Sequence, residues 1–327
     1  MRYLRVVEDQ GRYVASLPET APPTPAPGEV LIRVAASGVN RADLLQIAGR
    51  YPPPPGESEI LGLEVSGTLD ETGEPVCALL AGGGHAEYVA APAGQVFPAP
   101  TGGTAGAGGD LDLVTAAGIP EAFLTAFVNL IVEGGLAREA TVLVHAGASG
   151  VGIAAIQVAK LSGARVAATT RSGDKLKALE AVGTDLAIDT ARQDFTAEIE
   201  RRWGRDAVDV VLDPVGAASF GGDLRVLKTG GRIVIIATMS GSEAGLDLAL
   251  LMRKRARIVG STLRARSRAE KAAIVTRFKD EILPGFTGGA LRVVVDAVFP
   301  VARATEAFQR MRENRNVGKI LIAWRHD

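Results

Sequence analysis

The 327-residue sequence predicts an α/β protein in which a β-rich first part precedes a doubly wound parallel sheet, and three observations carry that expectation. Residues 141–152 read Thr-Val-Leu-Val-His-Ala-Gly-Ala-Ser-Gly-Val-Gly, a β-branched strand, a tight glycine turn and the start of a helix reaching about Leu161. From about Gly118 onward, strand-like and helix-like segments alternate as repeated βα units do. Before that point, short strand-like segments are punctuated by Gly and Pro clusters, the pattern of a compact barrel-like domain.

In the first part the strand candidates are residues 30–35, 64–69, 75–80 and 86–90. The Pro-rich run 20–27 reads as a surface connection and 52–55 as a rigid loop, because proline fixes φ and removes a backbone donor. Residues 101–109, rich in Gly, Ala and Thr, read as a loop without chemistry. In the second part the strand candidates are 142–145, 165–169, 186–188, 208–212, 232–237 and 257–261. Helices between them imply a sheet covered on both faces. A helix after Ser267 runs to about Glu281, then come 293–299, another helix and a last strand at 319–324. The expected domains are 1–120 with 268–327, and 121–267.

The strand, glycine turn and helix at 141–152 point to a dinucleotide. Such a junction presents backbone N–H groups and a helix N-terminus to a pyrophosphate. Gly147 permits the turn and Gly152 lets the helix pack closely on its strand. Ser149 stands where glycine is usual, yet it is small and its hydroxyl can donate to a phosphate oxygen. The residues after the second strand set the cofactor. An NAD site carries Asp or Glu there for the ribose 2′-OH. This chain has Thr170, Arg171 and Ser172, with Lys175 one turn later. A carboxylate repels a 2′-phosphate, whereas a guanidinium, hydroxyls and an ammonium bind it. The expected cofactor is therefore NADPH. Asp189, near the end of the third strand, is unfavourable beside a phosphate and is left unassigned.

Composition excludes several classes of function. The net charge of −1 gives no electrostatic reason for nucleic acid or anionic lipid as the main partner. Arg253, Lys254, Arg255, Arg257, Arg264, Arg266 and Arg268 form a local basic cluster, read as a solvated edge or cofactor-proximal loop. No apolar run approaches the ~20 residues that span a bilayer, and Met1-Arg2 opens without a signal-peptide pattern. One cysteine excludes an intrachain disulfide and agrees with a cytoplasmic location. Cys77 lies in an apolar run and reads as a small buried hydrophobe. His85, His145 and His326 have no second ligand at metal spacing, so each reads as satisfied or solvated, and no metal is expected.

The chain resembles the medium-chain dehydrogenase/reductase superfamily, and within it the zinc-free quinone oxidoreductases of the p53-inducible type. The motifs are Gly38-Val-Asn-Arg-Ala-Asp-Leu44, Gly49-Arg-Tyr-Pro-Pro-Pro-Pro-Gly56, Ile60-Leu-Gly-Leu-Glu-Val-Ser-Gly67 and Val76-Cys-Ala-Leu-Leu-Ala-Gly-Gly-Gly84. Ala148-Ser-Gly-Val-Gly152, Arg264-Ala-Arg-Ser-Arg268 and Asn316-Val-Gly-Lys-Ile320 extend the match over nearly the whole length. The resemblance implies a GroES-like catalytic domain and a Rossmann NADPH-binding domain. Zinc-dependent relatives carry Cys at Asn40 and His at Leu63, leaving only Glu64 of that ligand set. The structural zinc lobe needs four cysteines, and the chain has one.

By the same resemblance, Tyr51 contacts the carbonyl oxygen of a quinone or enone, and Asn40 bonds nicotinamide, ribose or substrate. A loop tyrosine packed on prolines and a turn asparagine are the bland alternatives. Asp43 is read as orienting either group, or as solvated or helix-capping. Ser149, Gly150, Val151 and Gly152 take the pyrophosphate, and Arg171, Ser172 and Lys175 face the 2′-phosphate. Met239, Thr262 and Leu263 line the nicotinamide, and Asn316 contacts the cofactor. His85 is placed in a substrate pocket as a guess. The expected activity is quinone reduction, with enoyl-thioester or enone reduction as the alternative. A non-catalytic NADPH- or RNA-binding protein is the reading from a different class. Relatives pair sheet edges, so a homodimer or homotetramer through residues 257–261 is expected.

Overall fold

A computed structural model of the chain describes residues 1–100 and 111–324; the expected loop at 101–109 and His326 lie outside the described residues. The chain divides into two compact units, Met1–Leu124 with Leu263–Asp327, and Thr125–Thr262.

The first unit is built on a seven-stranded sheet in the order Val295–Pro300, Lys319–Ala323, Glu29–Val39, Glu64–Leu69, Pro75–Leu79 and Val96–Pro98. Tyr88–Pro92 pairs with the N-terminal half of Glu29–Val39. All pairings are antiparallel except that of Val295–Pro300 with Lys319–Ala323. A hairpin, Arg5–Asp9 with Arg12–Ser16, turns through Gln10 and Gly11 at φ 46° and 74°. Left-handed dihedrals at both turn residues match the twist of the strands they join. Ile32, Val34, Val65, Val89, Phe308, Ile320 and Ile322 meet in the core of this unit. Cys77 is fully buried, in keeping with its apolar neighbours in the sequence.

The central strand extends to Val39, four residues beyond the expected 30–35. Residues 35–38 are Ala, Ala, Ser and Gly, poor strand formers, and pairing with Lys319–Ala323 on one side and Glu64–Leu69 on the other holds them extended. That extension decides where polar groups meet. Ile320 pairs with Val39 and Val65 with Ser37, so Lys319 and Glu64 flank residues 38–40 from opposite sides. Gly38 is obligatory at this crossing: a Cβ there would overlap the Glu64 carboxylate.

The second unit is a six-stranded parallel sheet in the order Leu186–Asp189, Arg165–Thr170, Thr141–Val144, Val208–Asp213, Leu227–Ile235 and Arg257–Gly260. This is the doubly wound order of dinucleotide-binding sheets, whose switch point lies between the first and fourth strands. Leu143, Ala167, Ile188, Val211 and Ile233 pack in its interior. The expected strand 232–237 is observed as Leu227–Ile235: Leu227 pairs with Val208 and Arg232 with Val210, and the polar Lys-Thr-Gly-Gly stretch between them bulges out of the ladder. Among the described residues, no helix is long and apolar enough to cross a membrane.

Candidate active site

The glycine-containing loop after the first strand of the second unit follows from a few local bonds. After Thr141–Val144 the backbone turns at Ala146, φ 50°, and Ser149 N donates to Ala146 O (2.9 Å). Gly147 N donates to Thr169 O (2.8 Å), which ties the turn to the second strand. The helix Gly150–Leu161 then begins with Ser149 as N-cap, its hydroxyl accepting from Gly152 N at 3.0 Å. A Cβ on Gly152 would lie 2.5 Å from Ala146 O and 2.6 Å from Gly147 O, so the close crossing requires glycine. The amides of Gly150 and Val151 open the helix without intrahelical partners, and the helix dipole adds positive potential there. This cradle fits a pyrophosphate.

The ends of the next two strands form the rim. Thr170 and Asp189 are register partners, which brings the third-strand loop beside Arg171 and Ser172. Arg171 is exposed and Ser172 half-buried, and Lys175 ends the short turn Gly173–Lys175. A cavity of about 620 Å³ opens here, lined by Gly173, Asp174, Leu176, Asp189, Arg192 and Gln193. Asp189 is buried; its carboxylate accepts from Ala191 N (3.0 Å) and lies 3.8 Å from Arg192 Nε. Arg192 thus offsets the charge that disfavours a phosphate, and adds a cation the linear sequence does not single out. Its nearness to Arg171 comes from strand pairing across 21 positions, not from a motif.

Two buried carboxylates brace the loops at the switch point. Asp213 accepts from Val215 N (2.6 Å), Gly216 N (3.0 Å) and Ser219 Oγ (3.1 Å), and so fixes the turn after the fourth strand. His145, which ends the first strand, lies 2.8 Å from Thr169 Oγ1 and 2.7 Å from Asp223 Oδ1. It is the satisfied core histidine expected. Met239 is exposed beyond Leu227–Ile235, with its N–H on Pro214 O (3.3 Å), and Thr262 is exposed at the end of this unit.

In the first unit, Asn40 is the N-cap of the helix Arg41–Ile47, and its N–H donates to Asp43 Oδ2 at 2.7 Å. Its side-chain amide donates to Glu64 Oε1 (2.9 Å) and Gly38 O (3.2 Å), while its Oδ1 accepts from Lys319 Nζ (2.8 Å). Asn40 is thus fully engaged inside the protein, and its polar atoms act as positioning groups. Lys319 also donates to Glu64 Oε1, and Glu121 N donates to Glu64 Oε2 (2.8 Å). Glu64 is wholly buried and Lys319 nearly so, a desolvated ion pair completed by hydrogen bonds. Asp43 is equally engaged, its Oδ1 accepting from Gly62 N at 3.1 Å. It is buried, which removes the solvated alternative.

Glu121 opens the helix Pro120–Phe127 beside this cluster. Part of its side chain is exposed, but its carboxyl is desolvated. Burial, then the charges of Glu64 and Asp43, push it up to about 8, against the pull of Lys319 and Lys271. Tyr51 is half-buried in the loop after Arg41–Ile47. Burial and then Glu121 raise its phenol above the ordinary range, against the nearby Arg264. It is therefore protonated and can donate. His85 is corrected: it is fully buried, 2.8 Å from Ser37 Oγ and edge-on to Phe308, so it belongs to the core and not to a substrate pocket. Leu263 is buried, and Asn316 is buried with its amide donating to Gly318 O (2.8 Å) at the turn into the last strand.

Members of the seven-residue basic cluster are engaged within the protein. Lys254 Nζ donates to Arg225 O (2.5 Å) and Leu227 O (2.6 Å) and pairs with Asp206 (2.7 Å). Arg268 pairs with Glu29 at 2.8 Å, and Arg264 is buried.

With this geometry in view, comparison with known proteins places the chain. Residues 26–101 match the alcohol dehydrogenase GroES-like domain and residues 150–279 the zinc-binding dehydrogenase domain. The quinone oxidoreductase of Thermus thermophilus, solved also in complex with NADPH, is 32% identical with a TM-score of 0.82, and the alignment covers 99% of this chain and 100% of that one. The chain belongs to the medium-chain dehydrogenase/reductase superfamily. Its GroES-like and Rossmann halves are those of that superfamily's fold. Among curated relatives, quinone oxidoreductase of Lama guanicoe is 28% identical over 98% of this chain and 97% of its own length. Spectinabilin polyketide synthase system protein NorB of Streptomyces orinoci is 34% identical over 94% of this chain, which spans 14% of NorB's length. The chain is an oxidoreductase of that superfamily.

Proposed function

We propose that the protein is a zinc-independent NADPH:quinone oxidoreductase. The observation that carries this reading is the state of Glu64. At the position where zinc-dependent relatives present a ligand, its carboxylate is held by Lys319, Asn40 and Glu121 N–H, an internal ammonium standing where a cation would. Leu63 beside it is buried and offers no donor atom. One carboxylate, an amide and a leucine are not the three Cys, His or acidic ligands a catalytic zinc needs. The donor set does not fit zinc, and the acceptor must be electrophilic without a Lewis acid.

NADPH supplies the hydride, which together with one proton turns a quinone into its hydroquinone and leaves NADP⁺. Ser149, Gly150, Val151 and Gly152 hold the pyrophosphate, and Arg171, Ser172 and Lys175, joined by Arg192, hold the 2′-phosphate. Met239, Thr262, Leu263 and Asn316 are assigned to the nicotinamide end. Tyr51 donates a hydrogen bond to the acceptor oxygen as charge arrives there, and Asn40 positions the helix and loop that carry it. The likeness to NorB favours a second reading, reduction of an enoyl thioester, which requires the same conjugated acceptor. The burial of Lys254 and Arg264 weighs against an RNA-binding role.

Steady-state NADPH oxidation with EDTA present, offering benzoquinone, 1,2-naphthoquinone and a short enoyl thioester, tests the reading. Quinone turnover is expected. Turnover of the thioester alone would move the assignment to enoyl reduction, and NADPH binding without turnover would sink the enzymatic reading. Arg171→Ala combined with Lys175→Ala is expected to weaken NADPH by about 100-fold and NADH far less, on the scale of charge-assisted phosphate contacts; equal losses would refute the 2′-phosphate assignment. The edge strand Arg257–Gly260 exposes Ile258, and the neighbouring helix Leu248–Lys254 exposes Leu248 and Met252. We assign this face to a homodimer in a reducing cytoplasm, so light scattering should give twice the 33.9 kDa chain mass; a monomer would refute it.

A further inference from the structure

Arg264 is buried to 3% exposure, and among the described residues no carboxylate lies within ion-pair distance of it. A desolvated cation of this kind is costly unless its donors are engaged. Here they are engaged by neutral oxygens. Nε donates to Ala81 O (2.7 Å), Nη1 to Tyr51 O (3.0 Å) and Nη2 to Gln46 Oε1 (2.7 Å). Three separate segments are thereby joined at one planar group: the end of the helix Arg41–Ile47, the Tyr51 loop and the glycine run after Pro75–Leu79. Gln46 passes the restraint on, donating to Glu59 O (2.9 Å) on the far side of the proline loop. The guanidinium also stands over the Tyr51 ring, its Cζ 5.2 Å from the centroid.

Core packing does not require an arginine here. An apolar side chain would bury the same volume without desolvating a charge. What the guanidinium adds is a fork of donors with fixed geometry and a positive charge against one face of one tyrosine. We infer that Arg264 is the positioning residue for Tyr51, holding its backbone carbonyl and its ring so that the phenol meets the acceptor oxygen in one orientation. This inference rests on the reading of Tyr51 as the donor to the reduced acceptor. Proline at residues 52–55 stiffens the loop, but stiffness alone leaves the ring's direction undefined. The charged groups around the phenol act in opposite senses: Arg264 favours its ionised form, Glu121 the neutral one. Arg264 itself is faced by Tyr51, Asp43, Glu121 and Glu57.

The test reads Tyr51 directly and needs no substrate. In the full-length protein, phenolate absorbance is followed against pH and the Tyr51→Phe background is subtracted. Arg264→Met should move the Tyr51 titration to higher pH, and Glu121→Gln should move it to lower pH. Arg264→Lys keeps the charge but cannot reach three oxygens, so it should leave the titration near its native place. In steady-state assays of the same proteins, Arg264→Met should lower kcat with the quinone by about 100-fold with KM for NADPH unchanged, the scale of a misplaced reacting group. Arg264→Lys should lie between native and Met. If Arg264→Met does not fold, Arg264→Lys carries the test. An unmoved titration in Arg264→Met, or native kcat in Arg264→Lys, would overturn the inference. Absence of quinone turnover in the unsubstituted protein would instead overturn the functional reading, leaving the titration result to stand on its own.

Discussion

Tyr51→Phe is expected to lower kcat for quinone reduction by about 100-fold, the cost of removing one donor to a developing oxyanion, with KM for NADPH little changed. The substitution removes one hydroxyl and keeps the ring, so the Arg264 contact above it and the hydrogen bond to Tyr51 O persist. Burial and Glu121 hold the phenol in its neutral, donating form at neutral pH. Loss of turnover with cofactor binding retained would therefore report a group acting on the acceptor. Steady-state kinetics over a range of NADPH and quinone concentrations separates the two constants. Unchanged kcat would return Tyr51 to the role of a loop residue packed on prolines.

Lys319→Met should be the most destabilising single change in the first unit. Glu64 is wholly buried, and with Lys319 gone its carboxylate keeps only Asn40 and the Glu121 N–H as donors. Breaking a buried pair by removing one partner typically costs about 3–5 kcal/mol. The urea midpoint of the variant should fall accordingly. Adding Glu64→Gln to Lys319→Met should recover part of the loss, because the stranded charge is then gone. Equal stability of the native and Lys319→Met proteins would show that the pair is not desolvated, and would remove the support it gives to a zinc-independent site.

Most of the Rossmann half is legible in the sequence. Strand, glycine turn and helix are local features, and the helix Gly150–Leu161 begins and ends where the motif places it. The N-cap at Ser149 is set by residues three apart, and so is the capping box of Ser267 with Glu270 in the other unit. The basic end of the second strand is equally legible, because Thr170, Arg171 and Ser172 are consecutive. Arg192 is not. It joins that rim through the pairing of Asp189 with Thr170, a relation between strands that no short window contains.

The barrel half is legible as short strands but not as a site. In sequence Asn40 reads either as a group touching cofactor or substrate or as a turn asparagine, and the fold makes it an N-cap engaged with Glu64 and Lys319. His85 reads as a pocket residue, and the fold puts it in the core. Arg264 reads as one cation of a basic edge, and the fold buries it against Tyr51. In each case the residue type is visible and its surroundings are not.

By itself the sequence determined the fold class and the strand, glycine turn and helix of residues 141–161, and the proposed 2′-phosphate preference is read from it. These depend on backbone conformation and charge within a dozen neighbouring positions. Only the tertiary structure decided which polar residues are buried together, because Lys319 meets Glu64 across 255 positions and Arg264 meets Tyr51 across 213. Strand register and loop closure set those meetings, and the low dielectric of the interior turns them into an ion pair, a raised acid and a fixed phenol.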